Sequence, residues 1–318
     1  MLGGFRPAVA LTRTDIYQAT VPAASRSDAA HPAAFQAAMK AVLVRVTGRR
    51  TAGEDPALAP LVSNAGRYVQ QYRDTSDNQL VVNFDGAAIE RWLTQNGQPL
   101  WGRERPATVV LLGVQTGPQA GSIVTSADTS ELKSAIDGAA AARGIPLLWP
   151  SPADVQRNQL DYAALTSKDA AALADVAHHL GGDGVLIGHA NGATAGSSVR
   201  WSMLFQDRSS EFSGPLEGVN RIADTYAGIF AASGALAPID IEVTGVDTLR
   251  DYAALQSYLE SLTFIAHVGV EELAGDSVKF RLTTRGGPDS LQHALALNDR
   301  LTALPAGDNG IQRFQLRR

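Results

Sequence analysis

The sequence predicts a multi-domain protein of mixed α/β and α+β class. It divides into an α+β first domain over 12–104, a largely parallel three-layer α/β domain over 105–236, and a ferredoxin-like βαββαβ domain over 237–318. Three observations predict this. The chain has 318 residues, more than one ordinary hydrophobic core holds. Its apolar residues recur with periods that switch between two, for strands, and about 3.6, for helices. Pro- and Gly-marked joints separate the blocks, and no internal repeat runs across them.

In the first block, alternation over 15–21 predicts a strand. Ser25 and Ser27 are candidate N-caps for a long helix with Phe35, Met39, Leu43 and Val46 on one face. Gly48 ends that helix, and a shorter one follows over 56–65. Strands over 68–73 and 79–84 flank the turn-forming run Asp74-Thr75-Ser76-Asp77-Asn78. In the second of them Leu80, Val82 and Phe84 share a face, as in a half-buried antiparallel strand. A helix with Ile89, Trp92 and Leu93 inward closes the block.

In the middle block, the apolar runs 109–114 and 184–188 predict strands covered on both faces. Between them lie a helix with Leu132, Ile136 and Ala140 at helical spacing, a short strand over 145–149, and a helix around 171–180. Strand-helix alternation of this kind predicts a parallel sheet. An antiparallel strand over 199–206 follows. A helix with the stripe Val219, Ile222, Tyr226 and Phe230 ends the block.

In the last block, a strand over 239–243 leads to a helix with Leu249, Tyr252, Leu255 and Leu259 on one side. Phe264, Ala266, Val268 and Val270 alternate, and so do Val278, Phe280 and Leu282, across the turn Ala274-Gly275-Asp276. That pattern predicts a hairpin. A helix with Leu291, Ala294 and Leu295 and a last strand over 311–316 complete the split βαβ order.

Composition narrows the function classes. With 45% hydrophobic and 19% charged residues, the chain has material for packed cores and is not a disordered protein. A net charge of -5 gives no electrostatic reason to expect nucleic acid. The absence of cysteine excludes disulfides, thiol catalysis and Cys-zinc sites, and fits any compartment, cytoplasmic or oxidising. No run approaches the ~18 apolar residues of a membrane-spanning helix. Near the start, Arg6 and the small-residue pattern Ala8-Val9-Ala10 resemble a signal-peptide cleavage site that lacks its apolar segment. The stretch reads either as a plain disordered N-terminal tail or as the stump of a signal peptide, the residues alone favouring the tail.

Several segments together resemble a family of uncharacterised proteobacterial envelope proteins, the domain of unknown function 2066 family. They are Ile16-Tyr17-Gln18-Ala19-Thr20-Val21, Ala41-Val42-Leu43-Val44-Arg45-Val46-Thr47-Gly48, Tyr68-Val69-Gln70-Gln71-Tyr72-Arg73 and Gln98-Pro99-Leu100-Trp101-Gly102 with Arg105-Pro106. Gly144-Ile145-Pro146-Leu147-Leu148, Gly184-Val185-Leu186-Ile187-Gly188 and Val243-Thr244-Gly245-Val246-Asp247 extend the set. The resemblance implies a secreted or periplasmic bacterial protein without an assigned activity, from which this chain departs in that its signal peptide is truncated or missing, and it brings no catalytic residues.

The residues that tempt a chemical reading have plainer explanations. His178 and His179 are adjacent, so on a helix they point ~100° apart and cannot face one metal together. A helix end interacting with Asp175 accounts for them. Gly181-Gly182-Asp183-Gly184 leaves a helix and enters a strand, the reverse of a dinucleotide loop, so helix capping explains it. There is no Gly-x-Ser-x-Gly elbow and no His-Glu-x-x-His helix. Asp85, Glu271 and Glu272 are read as solvated strand ends. Arg49-Arg50 and Arg317-Arg318 are read as solvated surface. Trp101 and Trp149 are read as core plugs.

The expected function is therefore that of a non-catalytic envelope protein, an interaction or scaffold module whose partners are other envelope proteins, with no cofactor or metal implied. The alternative is a small-ligand-binding protein or an unrecognised hydrolase using the crevice beyond the strand ends of the middle domain. Thr116, Ser151, His189 and Asn191 are the polar residues expected there.

Overall fold

The computed structural model describes residues 15–23, 31–103, 105–117, 121–167, 169–205, 208–232, 236–262, 264–296, 300–307 and 311–317. It shows a mixed α/β fold with three sheets. Two compact units emerge, Arg105–Ala223 and a second built from Asp15–Glu104 together with Asp224–Arg318. The pattern Ala8-Val9-Ala10 and the expected caps Ser25 and Ser27 lie outside the described residues.

The chain opens with strand β1 (Gln18–Pro22) and helix α1 (His31–Thr47). Met39, Leu43 and Val46 of α1 are fully buried as the helical stripe requires, and Phe35 packs at the margin. Gly48 stops the helix at φ +72°, where a Cβ would run into the side chain of Ala227. Short turns of 3-10 helix and α2 (Ala59–Ser63) replace the single helix expected over 56–65. Asp55 caps the turn that begins at Pro56, which breaks the segment into pieces. Strands β2 (Val69–Asp74) and β3 (Gln79–Phe84) form a hairpin, and Asn78 takes the left-handed φ of +53° in its turn. The sheet order is β1-β3-β2, antiparallel throughout. Leu80, Val82 and Phe84 face the core as their period of two requires. Helix α3 (Gly86–Gln95) follows directly.

The first unit holds β4 (Thr108–Gln115), β5 (Ser122–Ile123), α4 (Glu131–Arg143), β6 (Leu147–Leu148), α5 (Pro152–Arg157), α6 (Ala164–Ser167) and α7 (Ala170–His179). β7 (Gly184–Asn191), β8 (Ser198–Phe205) and β9 (Arg208–Ser213) complete its sheet. Helix α8 (Glu217–Phe230) gives its first half to this unit and its second half to the other. Parallel pairing is confined to β6, β4 and β7, while β5, β8 and β9 join antiparallel. The expectation of a largely parallel sheet is thus corrected to a mixed one. A parallel strand needs a crossover helix, and only the first half of this segment supplies them. The strands β5 and β9 lacked enough apolar alternation to be seen in sequence.

The last segment contains β10 (Ala237–Thr244), α9 (Leu249–Ser261), β11 (Ile265–Ala274), β12 (Ser277–Thr284), α10 (Gly287–Ala296), β13 (Leu301–Leu304) and β14 (Gln312–Leu316). Its five-stranded sheet has the order β11-β12-β10-β14-β13, one strand more than βαββαβ provides. The extra strand is β13, and β14 lies parallel beside β10. Ile241, Val243, Phe280, Leu282 and Phe314 are buried with Leu255 and Leu259 of α9 and Leu291 and Leu295 of α10. Register shifts at Ile265/His267 and Val270/Glu272 put two bulges into β11. They rephase the strand, so that Ile265 is buried and Ala266 exposed, the reverse of the alternation expected from Phe264 onward. No helix among the described residues is long and apolar enough to cross a membrane.

Candidate functional site

A concave site lies in the second unit, beside α3. Asp85 ends β3 and caps α3, accepting from the Ala88 N–H at 3.0 Å. Its role is that of an N-cap, which corrects its reading as a solvated strand end. Capping fixes the helix phase. Ile89 and Leu93 are fully buried in the core, and Ala87, Glu90, Arg91 and Thr94 line a cavity of about 220 Å³. These four stand at i, i+3, i+4 and i+7, one continuous face of the helix. Leu100, Leu236, Phe264 and Arg285 supply other walls.

Arg285 follows β12 directly. Its N–H donates to the Phe264 carbonyl at 3.2 Å, and Gly286 and Gly287 turn the chain at φ +90° and +78° into α10. The backbone around it is therefore fixed. Its Nη1 donates to Thr94 Oγ1, and its Nε is buried without an acceptor. No carboxylate pairs with Arg285 among the described residues, and burial alone pushes its guanidinium below the ordinary arginine range. Arg91 on the same wall is exposed and has no ion pair among the described residues. The cavity's one carboxylate among the described residues, Glu90, accepts a 2.5 Å hydrogen bond from the buried Tyr17 hydroxyl, and the Arg103 guanidinium lies 5.0 Å above the Tyr17 ring. The arrangement presents two guanidinium groups and a hydroxyl beside apolar Leu100, Leu236 and Phe264. Chemically it is suited to hold an anionic group attached to an apolar body.

The residues expected in the middle crevice are placed as follows. Thr116 is exposed just beyond β4, and Asn191 is the exposed last residue of β7. Because Gln115 pairs with Asn191, and the Gly192 N–H donates to the Gln115 carbonyl at 3.0 Å, these two share one end of the sheet. His189 sits two residues inside, opposite Gly113 on one side and Arg200 on the other. Burial first, and then Arg200, lower its pKa. Tyr162 packs edge-on against His189 at 5.4 Å between centroids and lies where a Cβ on Gly113 would be, at 2.8 Å. Ser151 is engaged elsewhere. It caps α5, receiving the Asp154 N–H at 3.2 Å and donating to Asp154 Oδ2 at 2.6 Å.

Other singled-out groups have structural partners. His179 Nδ1 meets the backbone carbonyl of Asp175 at 2.7 Å, in place of the side-chain contact expected. Gly181 takes φ +86° at the end of α7, as helix capping requires. Arg49 pairs with Asp55 at 2.8 Å and Arg50 with Asp224 at 2.7 Å, so neither is merely solvated. Glu271 and Glu272 pair with Arg281 and Lys279 at 2.8 and 2.6 Å. Trp101 is 1% exposed, a core plug. Trp149 is only half-buried and donates to Asp137 at 2.7 Å, with Lys133 over its ring.

Sequence reasoning named α3 for its inward residues and passed over Glu90, Arg91 and Thr94. The 87/90/91/94 spacing was a signal for the outer face. Arg285 carried none, since its partner Thr94 is 191 residues away in the chain.

A family model described as a domain of unknown function, DUF8605, matches residues 10–102, under a third of the chain. This replaces the resemblance to the domain of unknown function 2066 family, which is a different family. The segments that suggested the latter are core and turn residues, such as the buried Val42, Leu43 and Val46 and the left-handed Gly48, and many α+β chains need those types at those places. No curated protein matches the chain.

Proposed function

We propose that the protein is a non-catalytic interaction module that docks a partner at the cavity beside α3. The observation that carries this reading is Arg285, a half-buried guanidinium on the cavity wall whose Nη1 donates to a neutral hydroxyl and whose Nε is shielded without an acceptor. A cation with a shielded, unpaired N–H donor carries a desolvation cost that a ligand anion relieves. The exposed Leu236, on the same cavity, offers apolar area to that partner. The cavity is also smaller than the ~300–1,000 Å³ of drug-sized sites, which suits a terminal group or a single side chain.

A photo-crosslinking side chain placed at Ala87, on the cavity wall, tests the reading. It should give a discrete cross-linked species in the native extract that disappears on Arg285→Ala, while the same probe at Gly138, on the outside of α4, gives none. An identical pattern from both positions would defeat the proposal.

The finer architecture belongs to the same proposal. The order β10-α9-β11-β12-α10 and the neighbour order β11-β12-β10 support a ferredoxin-like core extended by the β13-β14 hairpin. A three-domain organisation over 12–104, 105–236 and 237–318 is supported by separate apolar clusters around Leu43, Leu111 and Phe280. Periplasmic residence, with other envelope proteins as partners, is part of the same proposal, and the cysteine-free composition is compatible with that compartment as with any other. Fractionation of the native cells tests it.

A second reading places a small ligand, or hydrolytic chemistry, at the end of the β4-β7 pair. Its specific support is His189, whose lowered pKa leaves a neutral imidazole near neutral pH beside Tyr162. Metabolite-induced shifts of the His189 ring resonances would favour it, and their absence across a broad panel would remove it.

A further inference from the structure

We propose that the cavity beside α3 recognises a carboxylate carried on a short apolar body, and that Arg285 is the residue that takes the carboxylate. This rests on the docking reading above and names the chemistry of what docks. Arg281, four residues earlier in β12, shows the geometry. Its Nε donates to Asp240 Oδ1 at 2.9 Å and its Nη2 to Asp240 Oδ2 at 3.0 Å, a side-on bidentate pair. Arg285 is anchored to Thr94 through the opposite corner, Nη1, which leaves its Nε–Nη2 edge without a carboxylate among the described residues.

Arg91 adds a second positive group on the same wall, and Leu100, Leu236 and Phe264 bound the space where the apolar body would lie. Glu90, tied to Tyr17, sits i−1 from Arg91 and disfavours multiply charged anions, since it brings like charge to the same cavity. Carboxylates with one negative charge fit this balance better than phosphate or sulfate. About 220 Å³ accommodates a carboxylate with a side chain the size of leucine.

Isothermal titration of the full chain tests this with four probes: an acetylated tetrapeptide ending in leucine with a free carboxylate, the same peptide as its C-terminal amide, hexanoate, and sulfate. The free-acid peptide should bind at least tenfold more tightly than the amide, and sulfate should not compete. Binding of hexanoate as well would assign the source to small carboxylates. Binding of the acid peptide alone would assign it to a chain terminus. Arg285→Lys, which keeps the charge and loses the fork, should weaken the free acid at least tenfold with an unchanged melting temperature. Thr94→Val, which removes the anchor, should weaken it by a smaller factor.

Equal binding of acid and amide, no binding of any carboxylate, or wild-type affinity in Arg285→Lys would each overturn the inference. Cross-linking at Ala87 together with indifference to the carboxylate would leave the docking reading standing without it. Carboxylate binding without any cross-linked partner would do the reverse.

Discussion

The solvent face of the C-terminal sheet and the cavity beside α3 both carry arginine, and they treat it in opposite ways. On the sheet face Arg281 pairs with Asp240 and Glu271, Lys279 with Glu272 and Arg313 with Glu242, at 2.6 to 3.1 Å. Each cation has its carboxylate on a neighbouring strand, directly across the ladder or close to it. In the cavity the Arg285 side chain has, among the described residues, only a threonine hydroxyl. The difference teaches that a density of charge does not mark a site. Exposed charges find partners and are screened by water, so their pairing decides little. A guanidinium whose Nε is shielded from water without an acceptor keeps its demand for an anion. The paired face is finished surface, and the cavity is unfinished.

The largest effect that sharpens this contrast comes from beneath the paired face. Phe280 is fully buried between Arg281 and Lys279 in sequence, and its ring stacks on Tyr252 at 6.3 Å. Phe280→Ala should cost about 3–5 kcal/mol, the usual range for emptying a packed aromatic site. Arg281→Ala, one residue along and on the outer face, should cost a small fraction of that. Urea unfolding of the two variants checks both. If the arginine substitution proved the costlier, the ion pairs would be holding the sheet together, and the view of that face as mere surface would fail.

Much of this was legible in the sequence, for a physical reason. Strand β3 reads directly from Leu80, Val82 and Phe84, and β12 from Val278, Phe280 and Leu282, because a face that is buried on one side must be apolar at every second residue. The stripe on α1 and the stop at Gly48 were readable likewise. Where two-residue strands, bulges or late additions shape the fold, periodicity says little. β5 is two residues long, β9 is Arg208–Ser213 with few apolar positions, and the bulges in β11 move Ile265 onto the buried side by adding a residue that no pattern announces. The site was less legible still. Thr116 and Asn191 do share a sheet end, but Ser151 spends its hydroxyl on a helix cap, and the cavity depends on Arg285 meeting Thr94 across 191 residues. One sequence carries no trace of a contact so distant.

The next effect has the opposite sign. Arg285→Met should raise stability by about 1 kcal/mol, because it removes a buried donor without an acceptor and keeps the apolar stem. Arg281→Met should lower stability slightly, since it strands Asp240 and Glu271 without their cation. Urea midpoints at unchanged slope distinguish the two. A loss of 2 kcal/mol or more in Arg285→Met would mean that the guanidinium is part of the fold's support, and the cavity would no longer be the unfinished half of the comparison.

The smallest effect concerns acid. Hydrogen bonds from Arg281, and then its charge, hold the Asp240 carboxyl below the ordinary carboxylate range. A depressed folded-state pKa means that the unfolded chain binds the proton first as pH falls. The stabilisation from this pair is therefore fully present above about pH 4 and is lost as pH drops through the folded value. Asp240 has 41% of its side chain exposed, so solvent screening keeps the effect small. Asp240→Asn should lower the melting temperature at pH 7 by about 1 °C or less, with the difference shrinking in 1 M salt and vanishing near pH 2. Arg285→Met should show no such acid dependence, since no carboxylate titrates against it. A melting difference for Asp240→Asn that persists at pH 2 would show that the side chain's shape, rather than its charge, matters on that face, and the electrostatic half of the contrast would have to be withdrawn.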